Sequence, residues 1–155
     1  MYLPIVCTML AIAVDGPAPA AEVFSILSLE PRQSLVVRYQ SVGCFHHFVY
    51  TFEFTGSVVV IHDLGVGAPG HKGKRLGCFT LDDDDLVKLD RLLAYYAGRP
   101  RGRCTTVDTV RVVVKDGPHR VRCACYVDGS CTTSDLPGML SLNRLACRLL
   151  KDWKN

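Results

Sequence analysis

The sequence lacks several features that would assign it at once to a class of function. No apolar run reaches the roughly 20 residues that a transmembrane helix needs, so we expect no membrane span. The formal net charge is only +3, which gives no reason to expect nucleic acid as a partner. No two cysteines have the Cys-x2–4-Cys spacing of a structural zinc site, and we expect no cofactor.

The chain does contain eight cysteines, more than an ordinary composition gives. An apolar run at residues 3–14 precedes Ala18-Pro19-Ala20, which is typical of a signal peptide with a small-x-small cleavage site. No lysine or arginine precedes this run, so an N-terminal core strand is the alternative interpretation. We expect a signal peptide at residues 1–20, followed by a single domain at 21–155 that is secreted or periplasmic.

Hydrophobic periodicity predicts an α+β fold, in which an antiparallel sheet of about five strands has two amphipathic helices packed on one face. The first hairpin turns at Thr55-Gly56, which pairs Phe52 with Val59. Four acids at 82–85 fit the N-terminus of a helix better than a calcium site. The predicted strands are 34–40, 47–54, 57–63, 107–114 and 119–127, and the predicted helices are about 82–97 and 141–153.

The second hairpin turns at Asp116-Gly117, and its alternation predicts which side chains are buried. Pairing Lys115 with Pro118 places Val112 opposite Val121. In this register the core face carries Val121, Cys123, Cys125 and Val127, while Arg111, Arg120, Arg122 and Tyr126 face solvent.

The cysteines are predicted to hold the domain together. Cys104 and Cys131 flank the second hairpin, and a bridge between them would enclose 26 residues and contribute roughly 3–4 kcal/mol. Cys44 and Cys78 both occur in a Gly-Cys-Phe context and form the second predicted bridge.

Three further patterns in the sequence suggest binding sites. Arg111, Arg120 and Arg122 would form an anion-binding face. His46, His47 and His62, with Glu53 on the face of His47, would supply metal ligands, although adjacent histidines of a strand face opposite sides. The third pattern is the segment between Cys104 and the second hairpin.

This segment belongs to a stretch, about residues 80–131, that resembles the subtilisin-inhibitor family. The shared layout is a helix, Cys104, a loop, a strand, an Asp116-Gly117 turn, a returning strand and Cys131. The resemblance implies that the Thr106-Val107 bond lies at the scissile position of a reactive loop, Thr105 to Val107, and that the partner is a secreted protease. Thr106 is smaller than the side chain usual at the primary specificity position.

We therefore expect an exported binding module rather than an enzyme, with the protease inhibitor as its most specific form. A metal-binding protein or metal-dependent enzyme that uses the histidines is one alternative. An anion-binding module that uses the arginine face is the other.

Overall fold

The computed structural model of the chain describes residues 22–64, 73–98, 102–130 and 139–153, with side chains as far as residue 148. Its elements in chain order are β1 (Gln33–Gly43), β2 (His46–Thr55), β3 (Val58–Asp63), β4 (Lys74–Thr80), α1 (Asp83–Ala97), β5 (Val107–Asp116), β6 (His119–Asp128) and α2 (Leu142–Trp153).

The strands form one antiparallel sheet in the order β4-β3-β2-β1-β5-β6. The predicted class, a sheet with two helices, is confirmed, but the sheet has six described strands rather than about five. The additional strand is β4, in which Gly77 interrupts the apolar pattern. A Cβ at Gly77 would lie 2.4 Å from Cζ of Phe79, so the ring of Phe79 occupies that space.

One core lies between a single face of the sheet and both helices. The residues that share this core include Leu35, Val37, Phe52, Phe54, Ile61, Val110, Val112, Leu89, Leu92, Leu93, Leu142 and Leu145. Alternation along the strands places the intervening side chains on the opposite face, which we call the outer face. Arg38, Arg111, Cys123 and Cys125 belong to the outer face and are exposed.

The predicted role of the acidic run in starting α1 is confirmed. Asp82 is the N-cap, and its carboxylate accepts a hydrogen bond of 2.8 Å from the N–H of Asp85. Arg148 of α2 donates to Oδ2 of Asp85 at 2.5 Å, so the two helices are joined by an ion pair at this end of α1.

The predicted register of the first hairpin is wrong by two residues. The loop is Gly56-Ser57, because Gly56 adopts φ 57° and lets Thr55 pair with Val58. Phe52 consequently faces Ile61. Since a shift of two residues preserves the face of every side chain, the buried aromatic residues of β2 were predicted correctly.

The predicted register of the second hairpin is wrong in a way that changes faces. The turn residues are Gly117 and Pro118, with Gly117 at φ 54°, and an irregularity follows between Val114 and Lys115. Val112 therefore pairs with Ala124 and not with Val121.

This shift of three residues inverts β6, since an odd shift moves each side chain to the other face. Tyr126 is buried at 4% exposure, whereas Cys123 and Cys125 are exposed. Val121 and Val127, which were expected in the core, are 54% and 57% exposed.

The segment before β1 packs onto the helix side of the sheet. Phe24 and Ile26 are buried, and Asp90 of α1 accepts hydrogen bonds from the hydroxyl of Ser25 and, at 2.6 Å, from the N–H of Ile26. The predicted signal peptide lies outside the described residues. Within the described ranges, neither helix has the length and apolar character to cross a membrane.

Candidate protein-binding site

Two segments that are distant in the sequence meet at one end of the sheet. Gly43 pairs with His46 across the β1–β2 turn, and Val42 pairs with Val107 where β5 begins. The predicted binding loop therefore lies beside this turn. We call the combined surface the sheet tip, and it comprises Val42, Cys44, Phe45, His46, Phe48, Thr105, Thr106 and Val107.

The sheet tip exposes apolar side chains. Phe45 in the turn is 100% exposed. Val42 and Val107, which pair on the outer face, are 41% and 39% exposed, and Phe48, on the helix side of β2, is 36% exposed. Single exposed apolar residues are ordinary, but a group of them with a fully exposed aromatic ring is typical of an interaction site.

A ladder of rings connects the sheet tip to the core. The ring centroids of His46 and Phe48 are 5.1 Å apart, and those of Phe48 and Tyr50 are 6.2 Å apart, both pairs being stacked. Tyr50 in turn contacts the fully buried Phe52 edge to face. The exposed end of the ladder is thus held by packing against the buried end.

The three residues predicted to form the binding loop differ in exposure. Thr105 and Val107 are exposed, while Thr106 is half-buried. A Cβ at Gly43 would lie 2.8 Å from Oγ1 of Thr106 and 2.5 Å from Cε1 of His46, so both side chains occupy the space that this glycine leaves. Thr106, at the position implied to be the scissile one, is therefore partly covered by β1.

The segment before β5 is fastened to the segment after β6. The N–H of Cys104 donates to the carbonyl oxygen of Gly129 at 2.9 Å. Gly102 lies so near this segment that an added Cβ would be 2.4 Å from Cα of Ser130. The N–H of Ser130 donates to Oδ1 of Asp128 at 2.7 Å. These contacts fix the start of the loop before any partner binds.

Buried and half-buried polar side chains lie beneath the sheet tip. The hydroxyl of Tyr39 donates to Oδ2 of Asp108 at 3.2 Å, and the hydroxyls of Tyr95 and Ser130 are 2.9 Å apart. Burial, together with the carboxylate of Asp108, raises the pKa of Tyr39 above its ordinary value. Tyr39 therefore stays neutral and remains a donor at any physiological pH.

Ser41 and His46 have the arrangement of a catalytic pair. Oγ of Ser41 is 3.1 Å from Nε2 of His46, the spacing of a nucleophile and its base. Ser41, however, is only 4% exposed on the helix side of β1. A substrate carbonyl cannot reach its hydroxyl, so the pair positions His46 at the sheet tip.

Of the six cysteines in the described ranges, one is disulfide-bonded and five are free thiols. Cys104 is disulfide-bonded. Its predicted partner, Cys131, lies outside the described residues, so that pairing remains a prediction.

The predicted Cys44–Cys78 bridge is wrong, since both residues are free and exposed. Cys78 pairs with Val60, which pairs with Glu53, whereas Cys44 precedes β2. Glu53 and Cys44 are nine residues apart, about 30 Å along a strand.

The three histidines do not form a metal site. His46 and His47 are consecutive residues of β2 and lie on opposite faces. His62 pairs with Thr51, four residues from His47, which corresponds to about 13 Å along the strand. Among the described residues, no group of three metal-ligating side chains occurs. The predicted histidine cluster is therefore wrong.

The predicted arginine face is only partly correct. Arg111 and Arg120 lie on the outer face, but the inverted register places Arg122 on the helix side. There its guanidinium is 3.2 Å from the carboxylate of Glu22 and 5.2 Å from the ring centroid of Phe24. Arg122 therefore stabilises the segment before β1.

Two exposed residues, Phe45 of the sheet tip and Arg38 of the outer face, were missed by sequence reasoning. Phe45 was passed over because it lies between two predicted strands, although an aromatic residue in a turn is itself a signal of exposure. Arg38 was passed over because nothing local indicates that β1 pairs with β5.

Comparison of the chain with protein families, curated proteins and solved structures finds no match.

Proposed function

We propose that the protein is a small binding module that contacts another protein through the sheet tip. The observation that carries this proposal is the fully exposed ring of Phe45, in the turn that follows the exposed Val42–Val107 pair. Buried aromatic anchors dominate the energetics of protein interfaces, and Phe45 is available to enter a pocket of a partner.

The restrained conformation of the loop supports a role in binding. A segment that is already ordered loses little conformational entropy when a partner binds it. The Cys104–Gly129 hydrogen bond and the disulfide at Cys104 both restrict the loop at its start. Val107 restricts it at its end, because it pairs with Val42.

The partner class that fits these features is a secreted protease. An extended, tethered segment with an exposed valine suits a cleft that binds substrates in extended form. Phe45 would then contact the rim of the cleft. The half-buried Thr106 would have to turn outward to enter the specificity pocket, so we expect inhibition to be weaker than that of inhibitors with a protruding loop.

A titration against subtilisin-type and chymotrypsin-type proteases tests this proposal. We expect inhibition that Val107→Asp and Phe45→Ala each weaken at least about tenfold, which corresponds to roughly 1.4 kcal/mol. Val121→Asp is the matched control, because Val121 is similarly exposed but lies at the opposite end of the sheet. Absence of inhibition by the folded protein across the panel would overturn the protease assignment.

We also propose that the protein acts outside the cytoplasm, in the periplasm or as a secreted protein. The disulfide at Cys104 supports this location, since such bonds persist in oxidising compartments. Mass spectrometry after thiol alkylation, with and without prior reduction, tests it. Reduction should expose one additional pair of thiols, Cys104 and Cys131, and a start of the mature chain near residue 21 should accompany it.

A further inference from the structure

We propose that the outer face of the sheet carries an oxyanion-binding site formed by Arg38 and Arg111. The ligand is a carboxylate, sulfate or phosphate group. This site lies between β1 and β5, outside the sheet tip, and does not depend on the function proposed above.

The first argument is the pairing of two like charges. Arg38 lies directly opposite Arg111 in the β1–β5 pair, and both side chains are exposed on the outer face. In the part of the chain that the structure describes, neither arginine forms an ion pair. Like charges directly opposite on a sheet repel. An oxyanion between the two guanidinium groups would remove this repulsion and accept hydrogen bonds from both.

The second argument is a groove at this point. It has a volume of about 240 Å³ and is lined by Arg38, Gln40, Thr109, Arg111 and Cys125. Gln40 pairs with Thr109, in the row of the sheet next to the arginine pair. An amide and a hydroxyl therefore lie beside two guanidinium groups. Nε2 of Gln40 is 3.1 Å from Nε2 of His47, which engages one of the hydrogens of the amide group. The combination therefore supplies planar charged donors for two oxygens of an anion, and the Thr109 hydroxyl and the second amide hydrogen of Gln40 for a third.

The surrounding charges also favour an anion. Arg75 lies in the row of Arg38, on β4, beyond Thr51 and His62. Among the strand residues that the structure describes, the carboxylate nearest to this row on the outer face is Glu53, which is 4.0 Å from the ammonium group of Lys115. The positive charge of Arg38 and Arg111 is thus left for a ligand.

Two cysteines provide an internal measurement of occupancy. Cys125 pairs with Arg111 and lines the groove, whereas Cys123 lies on the same face of β6 but outside the groove. Both thiols are free and exposed. A bound anion should obstruct alkylation of Cys125 and leave that of Cys123 almost unchanged.

The test is the rate of alkylation of each thiol, measured by peptide mass spectrometry with increasing sodium sulfate. Sodium chloride at equal ionic strength is the reference. We expect saturable protection of Cys125, about tenfold at ten times the dissociation constant, because only the unoccupied fraction reacts. Phosphate and acetate, tested separately, show whether a tetrahedral anion or a carboxylate is preferred.

Arg38→Gln and Arg111→Gln should each abolish the protection, while Arg120→Gln should retain it. Circular dichroism must show that all three variants are folded. Equal effects of sulfate and chloride on both thiols, or protection that survives in a folded Arg38→Gln variant, would overturn the proposal.

Discussion

Asp128 lies directly opposite Asp108 in the β5–β6 pair, and both residues are buried. Two carboxylates in this position repel each other, so each needs compensation from a donor. The hydroxyl of Tyr39 supplies one for Asp108, and the N–H of Ser130 supplies one for Asp128. Asp108 therefore joins the start of β5 to β1, whereas Asp128 holds the turn that follows β6, beneath the sheet tip.

This relationship predicts unequal effects of two substitutions at Asp128. Asp128→Ala should lower the free energy of unfolding by about 1–3 kcal/mol, because the N–H of Ser130 loses its acceptor. Asp128→Asn should cost less, since the amide oxygen still accepts and the repulsion from Asp108 disappears. Chemical denaturation measures both values. Equal losses would show that the hydrogen bond to Ser130 is not what stabilises this end of the hairpin.

The close approach of two glycines predicts a second contrast. In Gly102→Ala, the new Cβ would meet the backbone of Ser130 at 2.4 Å, so the segment before Cys104 must move away. In Gly129→Ala, the nearest atom would be 3.5 Å away, an ordinary contact. We expect Gly102→Ala to be destabilised and Gly129→Ala to be nearly unchanged.

Hydrogen exchange at the N–H of Cys104, which donates to Gly129, is the specific measurement for this pair. Exchange should accelerate in Gly102→Ala only. Acceleration in both variants would mean that any side chain here, whatever its contacts, loosens the loop.

Local patterns were enough to predict the helices and the buried face of β2. The N-cap at Asp82 follows from an acidic residue placed before an apolar stripe, and this signal needs no knowledge of the fold. The alternation in β2 assigned its aromatic side chains to the correct face of the sheet, although the predicted register was wrong by two residues. Such features depend on neighbours within a few residues.

The remaining features depend on contacts that no local pattern specifies. The face of β6 is set by one extra residue near Val121, and Tyr126 is held on the core side by its hydrogen bond to Glu22. The pairing of β1 with β5 joins segments about 70 residues apart, so the Arg38–Arg111 contact could not be anticipated.

Tyr126 predicts a dependence of stability on alkaline pH. Burial, together with the carboxylate of Glu22, raises the pKa of Tyr126 to about 12 from its ordinary value of 10.0. Between these two values the unfolded chain loses the phenolic proton while the folded protein keeps it. The free energy of unfolding should therefore fall as the pH rises from about 10 to 12, by up to roughly 1.4 kcal/mol per pH unit.

Tyr126→Phe separates this effect from other alkaline titrations. At neutral pH the variant should lose about 1 kcal/mol, because the hydroxyl no longer donates to the carbonyl oxygen of Glu22. Above pH 10 its stability should decline less steeply than that of the native protein. If the stabilities of the variant and the native protein fell in parallel above pH 10, the raised pKa could not be assigned to Tyr126.

The arginine pair predicts a substitution that stabilises the protein. In buffer of low ionic strength without sulfate or phosphate, Arg38→Gln should raise the free energy of unfolding by a few tenths of a kcal/mol, because the repulsion from Arg111 is removed. High salt should reduce this gain by screening the two charges.

Arg122→Gln is the contrasting control, since Arg122 contacts Glu22 and the ring of Phe24 and its loss should destabilise the fold. Thermal denaturation at two salt concentrations measures whether each substitution stabilises or destabilises the protein. A destabilised Arg38→Gln variant at low salt would mean that the side chain of Arg38 packs favourably enough to outweigh the repulsion, and the electrostatic reason for an anion between Arg38 and Arg111 would be lost.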